Sequence, residues 1–342
     1  MNPTKHLSSA LQAGEVQERI QAISDAVRDA SGWVQPLKDE MARTIVGQDE
    51  MIERLLVALL ANGHVLLEGA PGLAKTLAVK TLAAALAGDY RRIQFTPDMT
   101  AGDVVGTEIF DPRDLSFRVR PGPVFAHLVL ADEINRAPAR AQSALLEAMQ
   151  ERQATIGEHT FRLPDPCLVL ATQHGGDKEG IYALPESQLD RFMLKVNITF
   201  PSPAEERRIL DIADDTDQEP QVVASMEDLR RARKVATTIH VGERIKDYIV
   251  SLVYATREPM GFGLDLDPFL RHGASPRASL SLLAASRALA FLNGRGRILT
   301  EDVKAIAPDV LRHRIGLTYE AEAQGLDGEQ IVARILEKVV SP

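Results

Sequence analysis

Apolar positions along this chain follow two different periods, and the places where one gives way to the other outline a fold. Between Glu15 and Met41, Val16, Ile20, Ile23 and Val27 recur three or four residues apart, and Trp33, Val34 and Leu37 follow. That spacing predicts one or two helices leading into the body, with the single tryptophan as their anchor. Another helix is expected over Met51–Ala61. Short strand candidates then take over, at His64–Glu68, Arg92–Phe95, Leu128–Ala131, Leu168–Thr172 and Leu194–Ile198. Runs this short read as strands buried on both faces, the pattern of a parallel sheet covered by helices. Two segments, 117–122 and 154–163, alternate in the manner of hairpins, the second directly after a helix expected over Ala141–Glu151.

From Asp211 the pattern lapses into Asp211-Ile-Ala-Asp-Asp-Thr-Asp-Gln-Glu-Pro220. Its aspartates have something of the spacing of a calcium loop, but no glycine makes the turn and no glutamate closes the site, so a linker is expected. Helical periodicity returns at Met226–Ile239, Glu243–Arg257, Ala278–Asn293 and Thr300–Leu311, where Thr300 reads as an N-cap followed by acids. The expected organisation is a helical extension over 1–44, an α/β domain over 45–210, a linker over 211–225 and an all-helical domain over 226–342.

Composition narrows the class. With 342 residues, 45% hydrophobic and 25% charged, the chain has the makeup of a folded globular protein large enough for two domains. No apolar stretch reaches the roughly 18 residues of a membrane helix, and Met1–Gln12 lacks the order of a signal peptide. One cysteine, Cys167, permits no intrachain disulfide and suits a reducing compartment. A cytoplasmic protein without membrane insertion is therefore expected. A net charge of -9 argues against broad attraction to nucleic acid.

The strongest chemical signal is Gly69-Ala70-Pro71-Gly72-Leu73-Ala74-Lys75-Thr76, which joins a buried strand to an Ala/Leu-rich helix beginning at Leu77. Glycines there let backbone N–H groups curl around phosphate oxygens, and the helix start adds its positive dipole end. Lys75 is placed to reach β- and γ-phosphates and Thr76 to ligate Mg2+. The usual glycine before the lysine is Ala74. Phosphates with a metal call for further acids, and Leu128-Val-Leu-Ala-Asp-Glu133 ends an apolar strand on two carboxylates, a burial that suits them only if they face a cation or water. Asp132 is assigned to Mg2+, mainly through water, and Glu133 to the attacking water.

Together with these, Asp132-Glu-Ile-Asn-Arg-Ala-Pro138, Ala144-Leu-Leu-Glu-Ala-Met-Gln-Glu151, Leu184-Pro-Glu-Ser-Gln-Leu-Asp-Arg-Phe192 and Gly273-Ala-Ser-Pro-Arg277 resemble the MoxR family of AAA+ ATPases, over about Ile45–Leu317. The resemblance implies an AAA+ P-loop NTPase αβα sandwich with a parallel sheet, followed by a small helical lid. It further implies ATP and Mg2+ as ligands and a homo-oligomeric ring, often a hexamer. Chaperone-like remodelling of a client protein or metalloenzyme complex is implied too, with a partner bearing a von Willebrand factor A domain. Arg191 matches the family's arginine finger, reaching a neighbouring subunit's nucleotide, and Arg277 matches sensor 2. Val46-Gly47-Gln48 resembles the segment beside the adenine, and hairpins inserted after Asp132-Glu133 would face the pore or clients, with His159 solvated at a tip. Arg136 and Arg140 read as helix-surface charges or as contacts to a neighbour, and Arg312-His-Arg314 as a helix-end charge favoured by the dipole.

Relatives usually read Ala-Thr-Gln-Asn-Pro where this chain has Ala171-Thr-Gln-His-Gly175. Either Gln173 or His174 is expected to serve as sensor 1, since a neutral imidazole donates one hydrogen bond as an amide does. Two other functions compete with the ATPase reading: a scaffold that binds ATP with little hydrolysis, and a DNA motor or transcription activator on the same core, for which basic loops or a DNA-binding appendage would be needed.

Overall fold

The computed structural model describes residues 3–173, 182–213 and 219–342, with side chains from Gly14 onward except Ala213. It divides into two units, one of Gln35–Arg230 and the other of Met1–Val34 with Arg231–Pro342. In chain order the helices are α1 Pro3–Ala30, α2 Val34–Thr44, α3 Asp49–Leu60, α4 Lys75–Ala85, α5 Ala101–Val105, α6 Ala139–Glu151, α7 Glu186–Leu189 and α8 Pro203–Ala213. They continue as α9 Met226–Thr238, α10 Glu243–Ala255, α11 Pro276–Leu292, α12 Thr300–Leu311, α13 Tyr319–Ala323 and α14 Gly328–Lys338. The strands are β1 Val65–Gly69, β2 Tyr90–Gln94, β3 Gly106–Asp111, β4 Ser116–Pro121, β5 Leu128–Asp132, β6 Gln153–Ile156, β7 His159–Arg162, β8 Leu168–Thr172, β9 Leu194–Ile198, β10 Leu270–His272 and β11 Gly316–Leu317.

The α/β unit is built on a five-stranded sheet in the order β2-β5-β8-β1-β9, parallel throughout. Its central strands are the apolar runs of the sequence, and Leu66, Val129, Ala131, Val169 and Ala171 share one core with Phe95, Leu145, Phe192 and the buried Cys167. Each large side chain taken fully out of water there contributes about 1.5–3 kcal/mol. Register fixes what lies at the strand ends. Ala131 faces Ala171, Leu67 faces Thr172 and Gly69 faces Ile198, so Asp132, Thr172 and the glycine-rich loop emerge along one edge of the sheet. Open parallel sheets bind ligands at this carboxyl edge. The opposite end is tied by buried His64, whose Nδ1 accepts from the Val169 N–H at 3.0 Å, so that Nε2 carries the proton and donates to the Met149 carbonyl at 3.2 Å.

The alternating segments 117–122 and 154–163 do fall in the hairpins β3–β4 and β6–β7, the second directly after α6, which ends at the left-handed Arg152. Other expectations are corrected. The last part of the expected linker is docked: Val223 N–H donates to the Ala85 carbonyl at 2.8 Å and Gln221 N–H to Glu40 at 3.0 Å. No helix of the described residues is long and apolar enough to cross a membrane.

In the second unit α1 groups with the C-terminal helices. The Gly296 N–H donates to Ser24 Oγ at 3.2 Å, and a Cβ at Gly296 would lie 2.7 Å from the Ile20 carbonyl oxygen, so only glycine permits this approach. Thr300 is the first helical residue rather than a cap. Asp302 caps instead, accepting from the Leu299 N–H at 2.8 Å while pairing with Arg295 at 2.5 Å. Of the helix-end charges, His313 and Arg314 are buried and Arg312 is half-buried, so side-chain partners and not the dipole alone hold them. Arg312 pairs with Asp309 at 3.2 Å and Glu329 at 3.6 Å, and Arg314 donates to the Val310 carbonyl and to Ser281. Burial of cations requires such partners.

Candidate nucleotide site

At the carboxyl edge of the sheet a cleft of about 590 Å³ is lined by Glu68, the whole loop Gly69–Leu77, Asp132, Glu133, Thr172 and Gln173. The loop is shaped by its backbone. Gly69 is pressed against β9, where a Cβ would come within 2.7 Å of the Ile198 carbonyl oxygen, and Gly72 turns at φ +86° with open space on the side a Cβ would take. Ala74 takes the left-handed conformation, φ +54°, immediately before α4, a geometry glycine adopts more readily. Lys75 lies across the loop it belongs to and donates to the Gly69 carbonyl at 2.8 Å. Burial lowers its pKa from 10.5, opposed by the nearby charges of Asp132, Glu133 and Glu68.

The two acids are held by neighbours that the sequence pattern did not single out. Thr172, fully buried at the end of β8, donates from Oγ1 to Asp132 Oδ1 at 2.7 Å and accepts from the Glu133 N–H at 2.8 Å. One hydroxyl thus uses both its donor and its acceptor to set the two carboxylates. Glu133 itself stands in the left-handed region, φ +56°, a strained conformation that turns its side chain out of the strand direction. Its Oε2 pairs with Arg136 at 3.0 Å and accepts from Gln94 at 3.4 Å. Asp132 Oδ2 accepts from Arg92 Nη2 at 2.6 Å and Nε at 3.2 Å. Arg92 and Gln94 stand out as polar residues two apart on a strand, but nothing near them in the chain says which acids they meet.

The residues suit a phosphate-bound metal. Thr76 and Asp132 offer hard oxygen donors in one cleft, few enough to leave positions for phosphates and water, as Mg2+ prefers. Among the described residues no group of three or more His, Cys, Asp or Glu could hold a metal by itself.

The other candidates of the α/β unit do not line this cleft. Val46, Gly47 and Gln48 do not line it; Gln48 is buried and donates to the Thr199 carbonyl at 3.2 Å, just beyond β9. Arg191 follows α7 and donates from Nη1 to the Leu146 carbonyl at 3.2 Å. It opens on a separate cavity of about 350 Å³ shared with Ser143, Glu147, Gln150, Glu151 and Gln188, and its buried Nε has no hydrogen-bond partner. Arg277 belongs to the second unit, exposed in the first turn of α11, where its N–H is capped by Ser275 Oγ at 3.2 Å. His174 lies outside the described residues.

Residues 64–194 match the family described as ATPase family associated with various cellular activities (AAA), and 265–335 match the AAA lid domain. The chain is 49% identical over 304 residues to Chaperone MoxR1 of Mycobacterium tuberculosis, covering 89% of this chain and 81% of that protein. It is 40% identical to YeaC of Bacillus subtilis and 33% to Protein MoxR of Methylorubrum extorquens, covering 89% of this chain and 93% of each relative. A crystal structure from Cytophaga hutchinsonii superposes with a TM-score of 0.85 at 42% identity, covering 96% of this chain and 99% of that one. With an AAA domain, an AAA lid and a relative so similar over most of its length, this chain belongs to the MoxR family of AAA+ ATPases.

Proposed function

We propose that the protein hydrolyses ATP with Mg2+ as a homo-oligomeric ring, a hexamer by family resemblance, and uses the cycle to remodel a partner or client protein in the cytoplasm. The observation that carries the reading is the convergence of the Gly69–Thr76 loop, Lys75, Asp132 and Glu133 on one cleft.

In this reading the loop N–H groups and Lys75 grip the β- and γ-phosphates, and the Thr76 hydroxyl and Asp132 hold the metal, Asp132 through water. Bound there, Mg2+ neutralises charge on the transferring phosphate. Glu133, on its strained turn, accepts a hydrogen bond from the attacking water and takes its proton as the oxygen bonds to the γ-phosphorus and the bond from that phosphorus to the β,γ-bridging oxygen breaks, ADP leaving with the electron pair. Gln173, with His174 beyond it, orients that water from the end of β8. Arg191 acts on a neighbouring subunit, in keeping with its place outside its own chain's cleft, and Arg277 couples the lid to the phosphates. The chaperone naming of a 49% identical relative supports the remodelling step, with a von Willebrand factor A domain protein as the partner class.

Turnover of the assembled protein beside Glu133→Gln tests this. Loss of about 10²-fold or more is expected from removing a general base; equal rates would sink the hydrolytic reading and leave a nucleotide-binding scaffold.

A further inference from the structure

We propose that Arg92 is a built-in cation competing with the divalent metal for Asp132, so that metal enters the cleft by displacing an arginine. The inference deepens the reading of the cleft given above and rests on it.

Arg92 stands on β2, the edge strand of the sheet, two residues before Gln94, which is in register with Asp132. Its guanidinium reaches across to β5 and places two nitrogens on Asp132 Oδ2, Nη2 at 2.6 Å and Nε at 3.2 Å. The other oxygen accepts from Thr172 at 2.7 Å, so both carboxylate oxygens are engaged. A metal with its water shell needs one of those oxygens and carries the same sign of charge as Arg92, so the two cannot share Oδ2 at close range. Arg92 can yield. Its side chain is 47% exposed, and the pair is therefore one that solvent screens and weakens.

An arginine here would keep Asp132 compensated and set a threshold that a lone cation does not pass. Metal arriving with phosphates, which contribute most of its ligands, does pass it.

The full-length protein is titrated with ADP in Mg2+ and in EDTA by calorimetry, and the ratio of affinities reads the coupling of metal to nucleotide. Arg92→Gln is expected to raise that ratio about two- to fivefold, the range of a partly exposed ion pair. Arg92→Lys, which keeps the charge without the fork, should raise it less, and it carries the test if Arg92→Gln fails to fold. Asp132→Asn should flatten the ratio, and adding Arg92→Gln to it should change nothing further. Mn2+ binding followed by its paramagnetic resonance signal should tighten in parallel. An unchanged or lowered ratio in folded variants overturns the proposal, the lowered one showing that Arg92 positions Asp132 for the metal. A wild-type protein that binds no ADP in either condition overturns the reading of the cleft itself, and this inference with it.

Discussion

A single hydroxyl joins the two acids of the cleft, and its removal is predicted to be felt twice. In Thr172→Val the shape is kept, but the half-buried Glu133 N–H loses its acceptor at 2.8 Å and Asp132 loses a donor at 2.7 Å. A loss of stability of about 1–3 kcal/mol is expected from leaving such a group unpaired, together with slower turnover, and Thr172→Ser should restore both. Denaturant unfolding and steady-state rates check this; a valine variant as stable as the parent would show the bridge to be idle. Lys75 makes a pH prediction. Burial lowers its pKa from 10.5, so the ammonium that grips phosphate is intact below the lowered value and lost as pH rises through it. Nucleotide affinity should therefore fall on the alkaline side earlier than an ordinary lysine dictates, and a dissociation constant flat to pH 10.5 would refute it. At this scale the loop and both acids were legible, because phosphate and metal demand particular residue types at fixed spacing. Thr172, Arg92 and Gln94 were not. Their parts depend on strand neighbours about 40 positions away in the chain, which local patterning does not report.

Among the elements, the loop before α4 carries an alanine at φ +54°. Ala74→Gly removes the left-handed penalty of about 1–2 kcal/mol and returns about 0.4–1 kcal/mol through a more flexible unfolded chain. A net gain of about 0.5–1 kcal/mol in unfolding free energy is the expected result, and a loss would mean that the Cβ has a packing role. The central strands were readable to within a residue or two, since burial on both faces forces an apolar run. Strand β3 was not, although its partner β4 was partly seen. Ile109 and Phe110 are adjacent and both exposed, and Phe110 meets Phe117 across the hairpin at 5.4 Å between ring centroids. A hairpin with no buried face imposes no alternation. The charges at 312–314 were read as helix-end charges, but their burial was not legible, because their partners Asp309, Glu329 and Ser281 are supplied by other turns and helices.

For the whole molecule, sequence periodicity separated an α/β unit from a helical one, but the grouping of α1 with residues 231–342 rests on contacts such as Ser24 with Gly296, far apart in the chain. If Arg191 acts between subunits, two inactive proteins should rescue one another. Lys75→Ala keeps its arginine and Arg191→Ala keeps its phosphate loop, so a mixed assembly contains some complete interfaces and should recover part of the ATP turnover that neither has alone. No recovery from a mixture shown to co-assemble would place the arginine's action within its own chain. A quieter consequence follows from the lone thiol. Cys167 is 1% exposed, immediately before β8 in the middle of the sheet, so a thiol reagent should ignore the folded protein and titrate one group only when the sheet parts. The native chain thus carries its own clock for core opening. It is also a silent background on which a cysteine introduced at the surface would be the sole labelled position.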